Sequence, residues 1–385
     1  MNYIGSKWTL LDRLETVLDE AGVPRDGIAL DLFAGTGAVA QALKRRGHTV
    51  YANDWQHYSY ITNVAFLELE GLPEFHGLQG GSEWREIASA APPESIPAFS
   101  ILGRQRLTGA EPALRVVQFL NALPGREGAF YHTYCEGGRS ERLYFSAENG
   151  RRIQAIRDRI SNWATQGWLT HAEQCWLIAG LVEAADQVAN TASVYGAYLK
   201  RVKPTARRPM ELVALLPSAS PQPGPRHRAW NRDSEEFLGE VGETCRLAYL
   251  DPPYNNRQYS ANYHLLETLA CWDLDEFDPR GVTGLRPRNR QNSPYCRRDA
   301  GAAFRRLLGR VRAEWLLFSY NNEGILTAAE LCALLRERYR EVQLEELPFR
   351  RFRADRDGAN RVYSGSATVE YLLLGTARRE AGIAA

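Results

Sequence analysis

Apolar and polar residues follow a regular order near the amino terminus: a short apolar run, then a segment with helical spacing. Leucines recur at helical intervals over residues 10–18, which predicts an amphipathic first helix. The apolar run that begins at residue 28 predicts a buried strand, residues 38–46 a helix, and residues 47–52 a second strand. Strands that alternate with helices are typical of parallel βαβ units, so an α/β sheet is expected.

The same order returns near the carboxyl terminus and ends on two apolar segments that predict an antiparallel pair. The predicted elements are strands at 247–250 and 315–320, helices at 262–272 and 328–339, and the closing pair at 342–347 and 369–374. A Rossmann-like sheet is therefore expected, mostly parallel and with an antiparallel last hairpin.

The α/β pattern is lost in the middle of the chain. Residues 72–128 are rich in glycine and proline, and Pro112 is expected to interrupt any helix there. The tryptophans at 163, 168 and 176 are assigned to a core. Helices are predicted at 63–70, 151–160 and 171–189.

At 385 residues the chain has room for two domains. We predict an α/β domain formed by residues 1–74 and 241–385, with residues 75–240 inserted as a largely helical region. The net charge of +1 does not by itself indicate a nucleic-acid partner. The six cysteines show no metal-ligand spacing, no segment is long and apolar enough to span a membrane, and the first residues do not resemble a signal peptide. A cytoplasmic protein without a metal is expected.

The strand that begins at Leu247 ends abruptly at Asp251, Pro252 and Pro253, and Tyr254 follows. Prolines donate no ladder hydrogen bond, so Asp251 is expected at the carboxyl end of the strand, where open α/β sheets hold ligands. The Asp251 carboxylate and the Pro252 carbonyl can accept both hydrogens of an exocyclic amine, while the Tyr254 ring can stack on a base. An ordinary Asp-Pro turn is the alternative.

A glycine-rich turn follows the first strand. Asp31 ends that strand, Gly35, Thr36 and Gly37 form the turn, and Asp54 ends the second strand. Glycine lets the backbone approach a ligand, and an acidic residue that closes the second strand is the usual contact for ribose hydroxyls. A third glycine and a phosphate-binding lysine are both missing, so an adenosine without a pyrophosphate is the predicted ligand. A purely structural turn is the alternative.

Basic residues cluster in three segments, near 200–232, 280–298 and 350–361. They are either solvated loops or a surface that contacts phosphates, and the sequence leaves both open. The candidate DNA-binding residues are Arg207, Arg208, Arg257, Arg286, Arg288, Arg290, Arg351 and Arg353.

The order of these motifs resembles the D12-class (alpha-group) methyltransferases that act on adenine N6 in DNA. The resemblance covers residues 1–63 and 247–375, and residues 256–259 and 351–360 are especially similar to the modification enzymes of FokI-type restriction systems. It implies a class I methyltransferase fold, with the insertion reading the target sequence. It also implies S-adenosylmethionine as methyl donor, duplex DNA as substrate and a restriction endonuclease as a candidate partner. A monomer without metal or membrane partner is expected.

The resemblance implies roles for individual residues as well. The target adenine would be flipped out of the duplex and held by Asp251, Pro252, Pro253 and Tyr254. The methyl donor would be held by Tyr3, Lys7, Asp31, Phe33, Gly35, Thr36, Gly37, Asp54 and Asp251.

Three functions are weighed against one another. A site-specific DNA adenine methyltransferase is favoured. A methyltransferase of RNA or of a protein amide is disfavoured by the aspartate at 251, where such enzymes usually have asparagine, and by the large basic insertion. A non-catalytic nucleic-acid-binding module is disfavoured by the intact set of Asp31, Asp54 and Asp251.

Overall fold

The computed structural model describes residues 7–89, 95–192, 194–221, 227–254, 259–287, 293–350 and 367–378. The chain forms two compact units. The helical unit consists mainly of His57–Ala219 and Ser260–Asn289. The sheet unit consists of Ser6–Gln56, Ser220–Tyr259 and Arg290–Ala385.

The strands, in chain order, are β1 (Ile28–Asp31), β2 (Thr49–Asn53), β3 (Ile96–Ser100), β4 (Gly103–Leu107), β5 (Ala214–Leu215), β6 (Arg228–Trp230), β7 (Cys245–Leu250), β8 (Ala313–Asn321), β9 (Tyr339–Arg350) and β10 (Ala367–Arg378). The α-helices are α1 (Leu11–Glu20), α2 (Ala38–Arg46), α3 (His57–Leu67), α4 (His76–Gln79), α5 (Trp84–Ser89), α6 (Pro112–Ala122), α7 (Ala129–Tyr134), α8 (Ala147–Thr165), α9 (His171–Gln187), α10 (Ser234–Val241), α11 (Tyr259–Asn262), α12 (His264–Cys271), α13 (Ala300–Arg310) and α14 (Ala328–Arg336). Short 3₁₀ helices lie at Lys7–Leu10, Pro204–Arg207, Leu274–Glu276 and Pro294–Cys296.

The sheet unit contains a seven-stranded sheet in the order β6-β2-β1-β7-β8-β10-β9. The first five strands of that order are parallel, and β10 runs antiparallel to both β8 and β9. The predicted mostly parallel sheet with an antiparallel last hairpin is therefore confirmed. The hairpin strands extend beyond the predicted 342–347 and 369–374, to twelve residues each.

Alternating residues of the central strands are buried on opposite faces of this sheet, as expected for period-two side chains. Leu250 of β7 and Phe318 of β8 belong to a core with Phe304 of α13. Their neighbours on the other face, such as Leu247 and Leu317, lie with α1 and α2 around a small cavity. Both faces are thus covered by helices, as in doubly wound α/β sheets.

The helical unit confirms most of the predicted helices and adds a small sheet. Helices α8 and α9 cover the predicted 151–160 and 171–189. Trp163 and Trp176 are buried, as predicted, whereas Trp168 is half-buried. Strands β4, β3 and β5 form a three-stranded sheet. This sheet was not predicted, because the region that contains β3 and β4 is rich in glycine and proline. Pro112 begins α6 instead of interrupting a helix, because a proline at the first helical position needs no N–H partner.

The two units divide the chain at other positions than the predicted insertion of residues 75–240. Helix α3 starts at His57, not at 63, is buried almost all round and belongs to the helical unit with α9 and α12. Residues 220–241 instead add β6 and α10 to the sheet unit. That the helical unit reads the DNA sequence stays a prediction. Among the described helices, none is long and apolar enough to cross a membrane.

Candidate functional site

Three acidic residues meet at the carboxyl ends of neighbouring parallel strands in the sheet unit. Asp31 ends β1 and is in register with Ala52 of β2 and Tyr249 of β7. Asp54 and Asp251 each lie two residues beyond those partners. The strand ends therefore bring the three predicted carboxylates to one edge of the sheet, where ligand sites of open α/β sheets occur.

The glycine-rich turn is tied to the ends of both neighbouring strands. The Leu32 amide donates to the Tyr249 carbonyl at 3.2 Å, and the Ala34 amide donates to the Asn53 carbonyl at 3.0 Å. Gly35 and Gly37 have φ values of 51° and 75°, a region that a residue with a Cβ rarely adopts. The turn thus brings the amino terminus of α2 to the site, and the amino terminus of a helix favours negative ligand atoms.

Asp54 holds this turn from the end of β2. One carboxylate oxygen accepts a hydrogen bond from the Gly35 amide at 2.8 Å, and the other accepts one from the Gln56 amide at 2.8 Å. The carboxylate is therefore oriented by two backbone donors before any ligand arrives. Such preorganisation reduces the entropic cost of binding.

Asp31 is a buried carboxyl group that accepts no hydrogen bond from the described residues. Burial, together with the nearby charges of Asp251 and Asp54, raises its pKa well above the ordinary value. The backbone amides of Phe33 and Ala40 act to lower the pKa of Asp31, but their effect is smaller than that of burial and the two charges. A polar group in this state costs stability, which favours a functional over a structural reason for its presence.

Lys7 lies between two carboxylates. Its ammonium nitrogen is 3.2 Å from Asp251 Oδ1 and 3.2 Å from Glu370 Oε2, and the side chain is only 4% exposed. Burial acts to lower the pKa of Lys7, but the two carboxylates outweigh it and the pKa is raised. For Asp251, burial and the Glu370 charge outweigh Lys7 and raise the pKa to about 6. Lys7 is thus a buried cation, and the pKa of Asp251 lies above the ordinary aspartate value.

Pro252 and Tyr254 lie next to this ion-pair cluster. The Pro252 carbonyl accepts no hydrogen bond from the described residues, so it is available to a ligand amine. The Tyr254 carbonyl accepts from the Ile325 amide at 2.9 Å and from the Tyr320 hydroxyl at 3.2 Å, which anchors the segment. The Tyr254 ring packs edge-on against Tyr320 and is 9% exposed, so it presents little free face in this conformation.

Among the remaining predicted donor residues, Phe33 packs edge-on against Tyr295 with 5.4 Å between ring centroids. Thr36 is half-buried in the turn, and Pro253 is half-buried after Pro252. Tyr3 lies outside the described residues.

The predicted DNA-binding arginines differ in their surroundings. Arg207 is exposed and pairs with Glu136 at 2.9 Å, and Arg208 is exposed. Arg286 is largely buried, forms two hydrogen bonds to the Asp273 carboxylate and lies over a phenylalanine ring. Arg257, Arg288, Arg290, Arg351 and Arg353 lie outside the described residues.

Glu370 is the site residue that the sequence analysis missed. It lies near the start of the largely apolar strand β10, opposite Asn321 of β8. A lone glutamate flanked by Val369, Tyr371 and leucines was a signal, because a charge is expensive at a buried strand position unless it is paired. Its partner, Lys7, is 363 residues away along the chain, which local patterns cannot reveal.

No group of three or more potential metal ligands occurs among the residues that the structure describes. The cysteines that it describes are free thiols, and five of them are buried.

Comparisons with known proteins agree with one another. The profile of the family described as D12 class N6 adenine-specific DNA methyltransferase matches residues 3–307. Type II methyltransferase M.NlaIII of Neisseria lactamica is 36% identical over 375 residues, which are 97% of this chain and 98% of that protein. Type II methyltransferase M.FokI of Planomicrobium okeanokoites is 32% identical over 364 residues, and the match spans 92% of this chain but only 50% of M.FokI. No solved structure matches the chain.

Proposed function

Because this chain belongs to the D12 class of N6 adenine-specific DNA methyltransferases, we propose that its site transfers a methyl group from S-adenosylmethionine to adenine N6 at one specific sequence in duplex DNA. Membership of this family confirms the favoured prediction of a DNA adenine-N6 methyltransferase. RNA or protein methylation and a non-catalytic role do not agree with this family. Two relatives are named modification methylases, so we include a cognate restriction endonuclease as a proposed partner.

One observation carries the assignment of the site: Asp31, Asp54 and Asp251 meet at the carboxyl ends of β1, β2 and β7, beside a glycine turn that opens a helix. These groups suit S-adenosylmethionine, which carries a ribose diol, a cationic sulfonium and an amino-acid end. The preoriented Asp54 carboxylate would accept hydrogen bonds from the ribose hydroxyls. Lys7 and the amino terminus of α2 would face the amino-acid end, whose carboxylate they complement.

The second half of the site would hold the target amine. The Asp251 carboxylate and the free Pro252 carbonyl would accept the two N6 hydrogens and turn the nitrogen lone pair towards the methyl group. The sulfonium of S-adenosylmethionine would supply an activated methyl group: the N6–methyl bond would form as the sulfur–methyl bond breaks, S-adenosylhomocysteine would leave as a neutral thioether, and N6 would then lose one proton to water. The protein therefore has only to position the reactants and stabilise the transient positive charge on N6. An ionised Asp251 in a buried site is well suited to that task.

The proposed binding of the base requires it to leave the duplex, because adenine N6 cannot reach a buried strand end while it is stacked. Tyr254 would hold the flipped ring once its face is uncovered. Exposed basic residues supply the proposed phosphate contacts, and Arg207 and Arg208 are their described members. Arg286 also stays a predicted phosphate contact, although its ion pair with Asp273 favours a structural role.

The test is methylation of unmodified genomic DNA by the purified protein, followed by single-molecule sequencing that maps N6-methyladenine. We expect modification at every copy of one short sequence when S-adenosylmethionine is present and none when it is omitted. The Asp251→Ala protein is the matched control and should leave the DNA unmodified. Methyl transfer to RNA or protein, with unmodified DNA, would contradict the proposal.

A further inference from the structure

We propose that Glu370 is a positioning residue for methyl transfer: it holds the Lys7 ammonium against the Asp251 carboxylate and thereby fixes the direction in which Asp251 faces the target amine. Glu370 itself would touch neither the donor nor the base. The inference rests on the proposed catalytic role of Asp251.

The geometry of the three side chains carries this inference. Lys7 Nζ is equidistant, at 3.2 Å, from one oxygen of Asp251 and one oxygen of Glu370. The ammonium has three donors on a flexible stem and would rotate freely around a single partner. Two acceptors, one directly after β7 and the other on β10, fix its position. Asp251 is then oriented through Lys7.

The cost of placing Glu370 there favours a role in function. Its strand pairs with β8 and β9, and Leu372, Leu373 and Leu374, which lie two to four residues further along β10, are buried. An uncharged residue would suit that environment better, since a buried ion pair is often no more stable than an apolar replacement. A carboxylate kept in a buried apolar strand and aimed at a catalytic ion pair is therefore not explained by stability alone.

The charged and titratable groups around Asp251 predict a signature in the pH dependence. Lys7, Glu370, Tyr249 and Tyr254 face it within the cluster, and Asp31 is close enough to respond to its charge. Lys7 lowers the pKa of Asp251 and Glu370 raises it. Removal of the Lys7 charge and removal of the Glu370 charge should therefore shift the acidic limb of the pH–rate profile in opposite directions.

The test is a double-mutant cycle with Lys7→Met, Glu370→Gln and the double variant. The measured quantity is the single-turnover rate of methyl transfer to duplex DNA, at saturating S-adenosylmethionine, over a range of pH. Glu345→Gln is the matched control. Glu345 on β9 accepts from Arg13 of α1 at 2.6 Å, so this variant also cuts an ion pair between the start of the chain and the closing hairpin, outside the site.

We expect Glu370→Gln to lower the plateau rate roughly tenfold, as for the loss of one charge-assisted hydrogen bond. Its acidic limb should move to lower pH, whereas Lys7→Met should move the limb to higher pH. In the Lys7→Met background the same Glu370→Gln change should raise the rate near neutral pH, because it removes a charge that repels Asp251. Glu345→Gln should leave the rate and the profile unchanged.

The inference is overturned if Glu370→Gln lowers the rate of methyl transfer by the same factor in the wild-type and Lys7→Met proteins. It is also overturned if Glu370→Gln leaves the rate of the wild-type protein unchanged. If the Glu370→Gln protein does not fold, Glu370→Asp is tested instead. Aspartate keeps the negative charge, but its side chain is one methylene shorter, which moves the carboxylate away from Lys7. A folded Glu370→Asp protein with the wild-type rate would equally overturn the inference. Failure of the proposed function is distinguished by Asp251→Ala: if that protein keeps its rate, the catalytic site itself is misassigned.

Discussion

The acidity of Asp251 leads to a prediction about the whole reaction. Burial and the neighbouring Glu370 charge raise the pKa of Asp251 to about 6 despite the contact with Lys7. Only the ionised form can accept both the Lys7 contact and an amine hydrogen and stabilise positive charge on N6. A group with this pKa is about 90% ionised at about pH 7 and about 10% ionised at about pH 5. The rate of methyl transfer should therefore fall roughly tenfold over that interval.

The assay is methyl transfer to a duplex that contains the mapped target sequence, measured as kcat/KM for S-adenosylmethionine at saturating DNA. Circular dichroism and DNA binding at each pH would confirm that fold and substrate binding persist. The pH profile of kcat/KM for the donor reports groups of the donor-free protein, which is the state to which the pKa of about 6 applies. A rate that is constant down to about pH 5, or a midpoint near the ordinary aspartate value of about 4, would refute the reasoning.

Three further predictions concern the donor, stability and DNA. Asp54→Ala should weaken S-adenosylmethionine binding roughly 10- to 150-fold in calorimetry, the loss expected for charge-assisted hydrogen bonds, while Asp54→Asn keeps an acceptor for the turn amide and should lose less. Unchanged affinity in a folded Asp54→Ala protein would exclude this residue from the donor site. The raised pKa of Asp31 means that its protonated form favours the folded state and that this stabilisation is lost as pH rises through the folded-state pKa. Asp31→Asn should therefore raise the Tm relative to the wild type, more at about pH 8 than at about pH 4, and an equal rise at both pH values would contradict the assignment. Replacing Arg207 or Arg208 with glutamine should reduce the slope of log affinity against log salt by about 0.9 on duplex DNA, because both side chains are exposed. Arg286→Gln should reduce the slope less, because the Arg286 side chain is only 13% exposed in its pair with Asp273, whereas that of Arg207 is 56% exposed beside Glu136. Equal reductions for all three variants would contradict this ranking.

Much of the sheet unit could be predicted from sequence because its strands are short apolar runs bounded by glycine, proline or acidic residues. Asp31, Asp54 and Asp251 could be placed together because each one closes such a run, and parallel strands end at the same edge. The hairpin of β9 and β10 was predicted from its two apolar segments. The ends of both strands are more polar, so the predicted strands were too short.

The remainder depends on contacts that are remote in sequence. Helix α3 is buried on nearly all sides, so it carries no apolar stripe from which its limits could be predicted. Helix α13 follows a basic segment and was not predicted, although its apolar positions have helical spacing. The role of Glu370 appears only when β10 is placed beside β8, which brings it to Lys7 from the other end of the chain.

The central claim is that Asp251 is the catalytic acceptor for the target amine, and its substitution tests the claim most directly. Single-turnover methyl transfer by the Asp251→Ala protein should be slower by at least about 10²–10³, comparable with the loss of one oriented charge-stabilising group. DNA affinity should persist, because phosphate contacts supply most of it. Tyr254→Phe, which keeps a stacking ring, should lose much less. An Asp251→Ala protein that is folded, binds DNA and transfers methyl at nearly the wild-type rate would contradict the account.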